Sequence, residues 1–314
     1  MINFSYGRPE KTNEFTESEK NSMIGVLIHE VGHNFFPMIV NSDEKNWFWM
    51  DEGINSYLQY LAEQKWMWGF PSRRGPSEKG MKYMKGDFRP IMVNPEQIIS
   101  INGNAYSRPA TALNILRNVV MGPELFDYGM KTYANRWKFK HPIPSDFFRT
   151  MEDASAVDLD WFWKGWFFST DHVDVSIESI KWYKLNNGRS QSMETTSTIN
   201  STPFSFSFQS PKYGEFRQIL DEEKFREKME SKNYYEVTFK NLGGLVTPLI
   251  LEWTYSDTSK EVEKIPAEVW RMNENEITKV FVKEKEVVSL KFDPDKITAD
   301  TDEKNNIFPR AQKD

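Results

Sequence analysis

Residues 16–36 read TESEKNSMIGVLIHEVGHNFF, and this stretch decides the fold of the first half of the chain. Thr16 followed by Glu19 has the form of a capping box, in which two side chains satisfy backbone N–H groups at a helix start. Apolar residues then recur at helical spacing as far as Val31, and Pro37 is expected to end the helix. The sequence therefore predicts a helix that carries the segment HEVGH.

The segment HEVGH, residues 29–33, has the spacing of a metal site. Residues four apart lie on one helical face, so His29 and His33 can share one metal ion while Glu30 points beside it. The chain has only 4 histidines, and two of them flank a glutamate here, which makes a chance match rare. The alternative is a helix with two partly buried histidines and no metal.

A third ligand is expected from the second predicted helix, residues 51–66. Catalytic zinc takes three protein ligands and keeps a fourth position for water. Glu52 opens this helix within the run WMDEG, and 18 residues, 34–51, separate it from His33. The sequence predicts one Zn²⁺ bound by His29, His33 and Glu52; the alternative for Glu52 is an acid favoured by the helix dipole.

Composition excludes several other classes of protein. The chain is 39% apolar and 27% charged, which is typical of a soluble globular protein. Cysteine is absent, so disulfides, thiolate zinc sites and cysteine nucleophiles are excluded. The net charge of −6 comes without a basic cluster, which argues against a nucleic-acid partner. No apolar run approaches the roughly 20 residues that span a membrane, no signal peptide is recognised, and the compartment is not predicted.

The chain is predicted to be α+β, with the helical part of a catalytic domain in residues 1–170 and a β-rich domain in residues 171–314. Residues 67–100 are expected to be an irregular connection, and 214–231 a helical or polar linker. Helices are predicted near 107–120, 123–136, 145–153 and 159–168. Alternating β-rich runs favour a β-sandwich after them, with strands expected at 173–183, 204–208, 234–239, 246–255, 267–271, 279–282 and 287–292, and a short one at 2–6.

The zinc motif and its surroundings resemble the gluzincin aminopeptidases, the family of aminopeptidase N and leukotriene hydrolase. HEVGH is followed after 18 residues by the glutamate of Asp51-Glu52-Gly53. The segments 105–126 and 135–152 are similar to the family's tyrosine-bearing helix and the stretch after it, and 160–166 is similar to its closing helix. The resemblance covers residues 1 to about 170 and implies a thermolysin-like zinc peptidase fold; the tail is compatible with the β domain of bacterial relatives.

The resemblance implies a role for each site residue. Zinc lowers the pKa of its bound water and polarises the scissile carbonyl. Glu30 takes the water proton and delivers it to the leaving amine. Tyr106 matches the family's catalytic tyrosine and would donate a hydrogen bond to the oxyanion; the alternative is a core aromatic. Asp51 and Asn55 are candidate partners of the histidines.

The sequence departs from the family at its beginning. Family members keep a Gly-x-Met-Glu-Asn motif shortly before the zinc helix, where it helps to bind the substrate's free amino terminus, and this sequence lacks it. Residues 1–7 are similar to the stretch after that motif. We therefore expect a chain that begins inside the catalytic domain, with the N-terminal portion of the same protein as a partner. The alternative is a natural short form without aminopeptidase specificity.

These features predict a zinc metallopeptidase that releases N-terminal amino acids from a peptide or protein substrate. Two rival hypotheses remain open at this point. One is another hydrolase on the same site, such as an endopeptidase or an epoxide hydrolase. The other is a zinc-bound peptide-binding module without turnover. On its own the chain is expected to bind zinc and to hydrolyse aminoacyl substrates poorly, because the group that holds the substrate ammonium is missing.

Overall fold

The computed structural model of the 314-residue chain describes residues 16–86, 88–185, 204–206 and 232–310. They are α+β and divide into two compact units. Unit 1 contains residues up to His172 together with Lys296–Thr301, and unit 2 contains Val173–Asp295 and the residues from Asp302 onward. The expected strand at 2–6 and the linker at 214–231 lie outside the described residues.

Unit 1 is helical and begins at the predicted capping box. The Thr16 side chain accepts a hydrogen bond from the Glu19 backbone N–H, and the Glu19 side chain accepts one from the Thr16 N–H, which confirms that prediction. The helices of unit 1 are α1 (Glu17–Gly32), α2 (Ile54–Trp66), α3 (Ser77–Gly80), α4 (Arg108–Ile115), α5 (Pro123–Trp137), α6 (Pro144–Ser155) and α7 (Asp160–Phe168). Short 3₁₀ turns occur at Met81–Tyr83 and Pro95–Gln97. Helix α1 ends at Gly32, so the prediction that it continues to Pro37 was wrong.

Three segments of unit 1 are π-helical, a conformation that adds one residue to each turn and is frequent at functional sites. One segment, Trp49–Gly53, leads directly into α2, so this helical stretch begins two residues before the predicted start. The other two, Asn102–Ser107 and Leu116–Met121, flank α4. The π geometry changes which residues face the same side of the stretch. The α-helical spacing used for the sequence prediction therefore does not apply there.

The core of unit 1 is aromatic, which explains the tryptophan-rich α7. Trp49 and Phe148 stack with ring centroids 5.9 Å apart, and the Trp163 ring stacks on Phe148 at 4.5 Å. Phe167 closes the cluster at 4.8 Å from Trp49. All four side chains are buried, and aromatic pairs at these separations contribute about 0.5–1.5 kcal/mol beyond area burial. The cluster fixes the π-helical segment that contains Asp51 and Glu52.

The described residues of unit 2 form two four-stranded sheets, with strand orders β2-β1-β3-β6 and β5-β4-β7-β8. The strands are β1 (Val175–Leu185), β2 (Phe204–Phe206), β3 (Asn233–Asn241), β4 (Leu249–Tyr255), β5 (Lys260–Ile265), β6 (Glu276–Lys283), β7 (Val287–Phe292) and β8 (Ile307–Phe308). Pairing is antiparallel except between β1 and β2, which are parallel. The sheets meet through buried aromatic side chains, with Trp253 of β4 lying 4.9 Å from Phe281 of β6 and 6.2 Å from Tyr235 of β3.

One strand predicted from the sequence was wrong, and two strands were missed. The expected strand at 267–271 is a 3₁₀ turn, Ala267–Trp270, in which Ala267 and Trp270 are buried because they lie three residues apart on the same side. Strand β5 was missed because its exposed residues are mostly charged, as is common on an edge strand. Strand β8 was also missed; it has only two residues.

Candidate metal centre

Helices α1 and α2 pack closely enough to bring the two histidines and Glu52 together. A Cβ atom on Gly32 would lie 2.1 Å from Asn55 Oδ1, so only glycine fits at this contact. Asn55 is fully buried and donates from Nδ2 to the His29 carbonyl oxygen at 2.8 Å. The last turn of α1 is therefore fixed against the first turn of α2, which follows the π-helical segment containing Glu52.

Replacing Gly32 by alanine is expected to destabilise unit 1 by about 1–3 kcal/mol, because the overlap with Asn55 forces a shift in a packed contact. Alanine is the better helix former by about 1 kcal/mol, so stabilisation would be expected if the contact were loose. Urea unfolding measures the change. The control is Lys20→Ala at an exposed position of the same helix, and an equal or higher stability of the Gly32 variant would contradict the close packing.

Three candidate ligand atoms converge at this contact. His29 Nε2 lies 3.1 Å from His33 Nε2 and 2.9 Å from Glu52 Oε2, and His33 Nε2 lies 3.4 Å from the same carboxylate oxygen. Two ligands at about 2.1 Å from a tetrahedral zinc ion lie about 3.4 Å apart, so these separations approach those of a zinc site. The structure brings together all three residues predicted as ligands.

The outward nitrogen of each imidazole faces an acceptor. His29 Nδ1 lies 2.9 Å from Gln59 Oε1. His33 Nδ1 lies 2.9 Å from the Phe36 carbonyl oxygen and 3.0 Å from Asp51 Oδ1. Both Nδ1 atoms can therefore carry a proton, which would allow both Nε2 atoms to present a lone pair to a metal ion beside the Glu52 carboxylate. Three acceptors about 3 Å apart repel one another unless a cation lies between them, so the donor set fits a divalent metal such as zinc.

The pKa values of His33 and Glu52 reflect the close contact between the imidazoles and the carboxylates. Burial alone would lower the pKa of His33, yet contacts with Asp51 and Glu52 outweigh it and raise the pKa to about 10. Burial would raise the pKa of Glu52, but hydrogen bonds from His29, His33 and Tyr106 lower it to about 2.

A buried polar chain that sequence reasoning missed supports His29 from α2. Gln59 Nε2 donates to the Gly25 carbonyl oxygen at 3.1 Å and to Glu63 Oε1 at 2.7 Å, which leaves Gln59 Oε1 as the acceptor for His29. Glu63 is 2% exposed, and its other oxygen accepts a hydrogen bond from the Ser72 hydroxyl. The spacing of Gln59 and Glu63 by one helical turn was a signal in the sequence, but identifying their partner required the packing of α1 on α2.

Replacing Gln59 by leucine is expected to lower zinc affinity about 10–100-fold, because His29 Nδ1 loses the acceptor that orients its ring. Zinc affinity is measured by competition with a chromophoric chelator. The control is Gln97→Leu at an exposed position of the same unit. An unchanged affinity in the Gln59 variant would mean that this acceptor does not orient the ligand.

Glu30 and Tyr106 both line the cavity next to the three ligand atoms, which has a volume of about 490 Å³. Glu30 makes no hydrogen bond or ion pair with any residue that the structure describes, so its carboxylate is available to a bound molecule. Tyr106 lies in the π-helical segment Asn102–Ser107 and donates from its hydroxyl to Glu52 Oε1 at 2.5 Å. Its ring stacks on that of His29 with centroids 5.9 Å apart. Burial, followed by the contact with Glu52, raises the pKa of Tyr106, so the hydroxyl keeps its proton.

The helical fold and the group of two histidines and one glutamate are those of a metallopeptidase domain. Comparison with known proteins identifies the family. A model of the Peptidase family M1 domain matches residues 10–166, half of the chain. The chain therefore belongs to peptidase family M1, whose members are generally zinc-dependent. This bears out the resemblance to the gluzincin aminopeptidases.

Several aminopeptidases are similar to this chain. Glutamyl aminopeptidase of Bos taurus is 27% identical over 180 residues, which cover 54% of this chain and 18% of that protein. Aminopeptidase N of Lactococcus lactis subsp. lactis is 22% identical over 166 residues, covering 49% of this chain and 19% of that protein. The fold is similar to a crystal structure of Legionella pneumophila aminopeptidase A in complex with aspartic acid, with a TM-score of 0.54, 12% identity, and coverage of 88% of this chain and 26% of that one. The chain thus spans less than a fifth of the length of these two sequence relatives.

Among the described residues, no helix combines the length and apolar character needed to cross a membrane.

Proposed function

We propose that this chain is the zinc-binding part of a metallopeptidase that removes N-terminal amino acids from peptides. The observation that carries the proposal is the convergence of His29 Nε2, His33 Nε2 and Glu52 Oε2, with both Nδ1 atoms held by acceptors. The names of the relatives support the aminopeptidase type, and they include both glutamyl aminopeptidase and aminopeptidase N. Family membership therefore leaves the side-chain preference open. The partner that we propose for this cleft is a peptide, with no role for nucleic acid.

We propose a thermolysin-like catalytic domain in residues 1–170 and a β-sandwich domain in residues 171–314. His29, His33 and Glu52 would hold zinc, which when bound supplies a Lewis acid and lowers the pKa of water. Glu30 accepts the proton of the attacking water and returns it to the leaving amine. Tyr106 exchanges its acceptor, from Glu52 to the oxygen that becomes negatively charged at the scissile carbon. A segment with the Gly-x-Met-Glu-Asn motif would complete the binding of the substrate ammonium.

The proposal is tested with the zinc-loaded chain and pairs of peptides that have free or acetylated amino termini. Release of the first amino acid from the free peptides alone, abolished by a chelator and restored by zinc, is expected for an aminopeptidase. Cleavage of the acetylated peptides would instead identify an endopeptidase. Retention of peptide and zinc without any cleavage, also when a segment with the Gly-x-Met-Glu-Asn motif is added, would identify a binding module. Each outcome therefore corresponds to one of the hypotheses raised by the sequence.

Replacing Tyr106 by phenylalanine is expected to lower kcat by about 10²–10³-fold while changing KM much less, because the hydroxyl contacts the substrate oxygen mainly in the transition state. Steady-state kinetics on one aminoacyl substrate measures both constants. Tyr128→Phe, at an exposed tyrosine of α5, is the matched control. A Tyr106 variant with normal kcat would remove this residue from the catalytic set.

A further inference from the structure

Two consecutive arginines line the cavity next to His29, His33 and Glu52, and neither has a carboxylate partner among the described residues. Arg73 and Arg74 line the same cavity as the three ligand residues. Among the residues that the structure describes, neither guanidinium forms an ion pair; Arg73 Nη2 donates to Ser22 Oγ at 2.7 Å, and Arg74 Nη2 donates to Asn102 Oδ1 at 3.0 Å. Both of these acceptors are neutral. Both guanidinium groups are thus hydrogen-bonded, but neither is paired with a carboxylate of the described residues at ion-pair distance.

The loop that presents the arginines is held in place by α2. Gln64 Nε2 donates to the Phe70 carbonyl oxygen and to Ser72 Oγ, both at 3.0 Å. Gly75 has a φ of 96°, and a Cβ atom there would lie 2.4 Å from the Tyr60 ring. This backbone conformation and this close approach both require glycine. The arginine side chains therefore start from a fixed backbone, as a binding site requires.

Arg74 is the arginine closer to the site of chemistry. Its Cζ lies 4.3 Å from the centroid of the Tyr106 ring, and Tyr106 contacts the ligand Glu52. The side chain is only partly exposed, and its burial lowers the pKa of the guanidinium below its usual range. An unneutralised charge that is partly removed from water is costly, and a cleft is where a ligand offsets that cost. Arg73 is exposed and remains in contact with solvent.

The acidic groups of the same cavity are already engaged or belong to the reaction. Glu52 contacts both histidines, and Glu63 accepts hydrogen bonds from Gln59 and Ser72. Glu30 is the residue proposed to accept the proton of the attacking water. None of these carboxylates lies within ion-pair distance of Arg74. A carboxylate on the bound molecule would therefore be the counter-charge, and a guanidinium binds a carboxylate through two parallel hydrogen bonds.

We propose that Arg74, assisted by Arg73, forms an anion subsite that selects peptide substrates carrying a carboxylate next to the scissile bond. This inference rests on the proposed function in one respect, namely that the bound molecule is a peptide. The carboxylate can come from the side chain of an N-terminal acidic residue or from the C-terminus of a short peptide. Both sources present the same chemistry to the guanidinium, and the probes below separate them.

The test is a binding titration with the zinc-loaded chain carrying Glu30→Gln, so that no probe is cleaved. Three probes of nearly equal size are used: Gln-Ala-amide without a carboxylate, Glu-Ala-amide with a side-chain carboxylate, and Gln-Ala with a C-terminal carboxylate. At least one carboxylate probe is expected to bind about tenfold or more tightly than Gln-Ala-amide, as charge-assisted hydrogen bonds of this kind provide. The probe that gains affinity identifies the source.

Arg74→Gln is expected to abolish this preference while leaving the affinity for Gln-Ala-amide within about twofold, since only the charge contact is removed. Arg74→Lys should keep part of the preference, because it retains the charge without the planar fork. Arg89→Gln, at an exposed arginine of the same unit, is the matched control and should keep all of it. The unchanged affinity for the neutral probe also shows that the variant is folded.

Several results would overturn the anion subsite. They are equal binding of the three probes, a preference that persists in Arg74→Gln, and no binding of any probe up to about 10 mM, where the binding free energy is below about 3 kcal/mol. Hydrolysis is measured separately on the chain with Glu30 intact. A charge preference without hydrolysis, also when a segment with the Gly-x-Met-Glu-Asn motif is added, would support the subsite and refute the peptidase. Hydrolysis of all three probes at equal kcat/KM would do the reverse.

Discussion

Replacing Glu30 by glutamine is expected to lower kcat/KM by about 10²–10⁴-fold while leaving zinc affinity close to that of the unmodified chain. The amide has nearly the same shape as the carboxylate but cannot accept the proton of the attacking water. Zinc affinity should be retained because Glu30 is not among the three converging atoms and makes no hydrogen bond with the described residues. Initial rates on an aminoacyl substrate and zinc competition with a chelator measure the two quantities.

The control for this experiment is Glu17→Gln, which removes the same charge from an exposed position at the start of α1. It should change neither rate nor affinity. A glutamine variant at position 30 with full activity would show that another group takes the proton. A variant that also lost zinc would show that Glu30 acts on the metal rather than on the water.

Replacing Glu52 by glutamine is expected to lower zinc affinity by more than about 100-fold, because a proposed direct ligand with a negative charge is removed. Loss of a residue that only hydrogen-bonds to a ligand costs up to about 100-fold. The Glu52 side chain is 13% exposed and contacts both histidines, so glutamine at this position would remove the negative charge from the point where the two imidazoles meet. Zinc stabilises the folded state by mass action, so it should raise the Tm of the unmodified chain far more than that of the variant.

Thermal unfolding with and without zinc measures this difference. Glu44→Gln removes a charge from an exposed position of the connection between α1 and α2 and serves as the matched control. An equal zinc-induced rise in Tm for the Glu52 variant would contradict the ligand set. Loss of the rise in both variants would indicate a general charge effect instead.

The ligand set and its helices could be predicted from the sequence because the signals are local. His29 and His33 share one face through the period of a single helix, and Thr16 with Glu19 defines the start of that helix within one turn. Glu52 required a further step, because its approach depends on the packing of α1 against α2. The position of Glu52 at the start of the next predicted helix provided that step, and the family resemblance supported it.

The remaining features of the site depend on contacts that no sequence period reports. The segments that contain Glu52 and Tyr106 are π-helical, and α-helical spacing predicts a different orientation for their side chains. Gln59 and Glu63 follow one another at ordinary helical spacing, yet Gln59 reaches His29 only after the two helices meet. In unit 2, the buried Trp270 was assigned to a strand. Over a run of only a few residues, the burial pattern of a 3₁₀ turn is difficult to distinguish from the alternating pattern of a strand.

A chain of hydrogen bonds runs from Ser72 through Glu63 and Gln59 to His29. It connects the loop that contains Arg73 and Arg74 to a proposed metal ligand. By reciprocity, whatever free energy metal loading contributes to holding Gln59 in place also favours the bound position of the loop, and an anion that stabilises the loop favours the metal by the same amount. Binding of a negatively charged substrate and binding of the metal are therefore expected to be cooperative in this chain. A peptidase of this kind would hold its metal most firmly while the substrate that it selects is present.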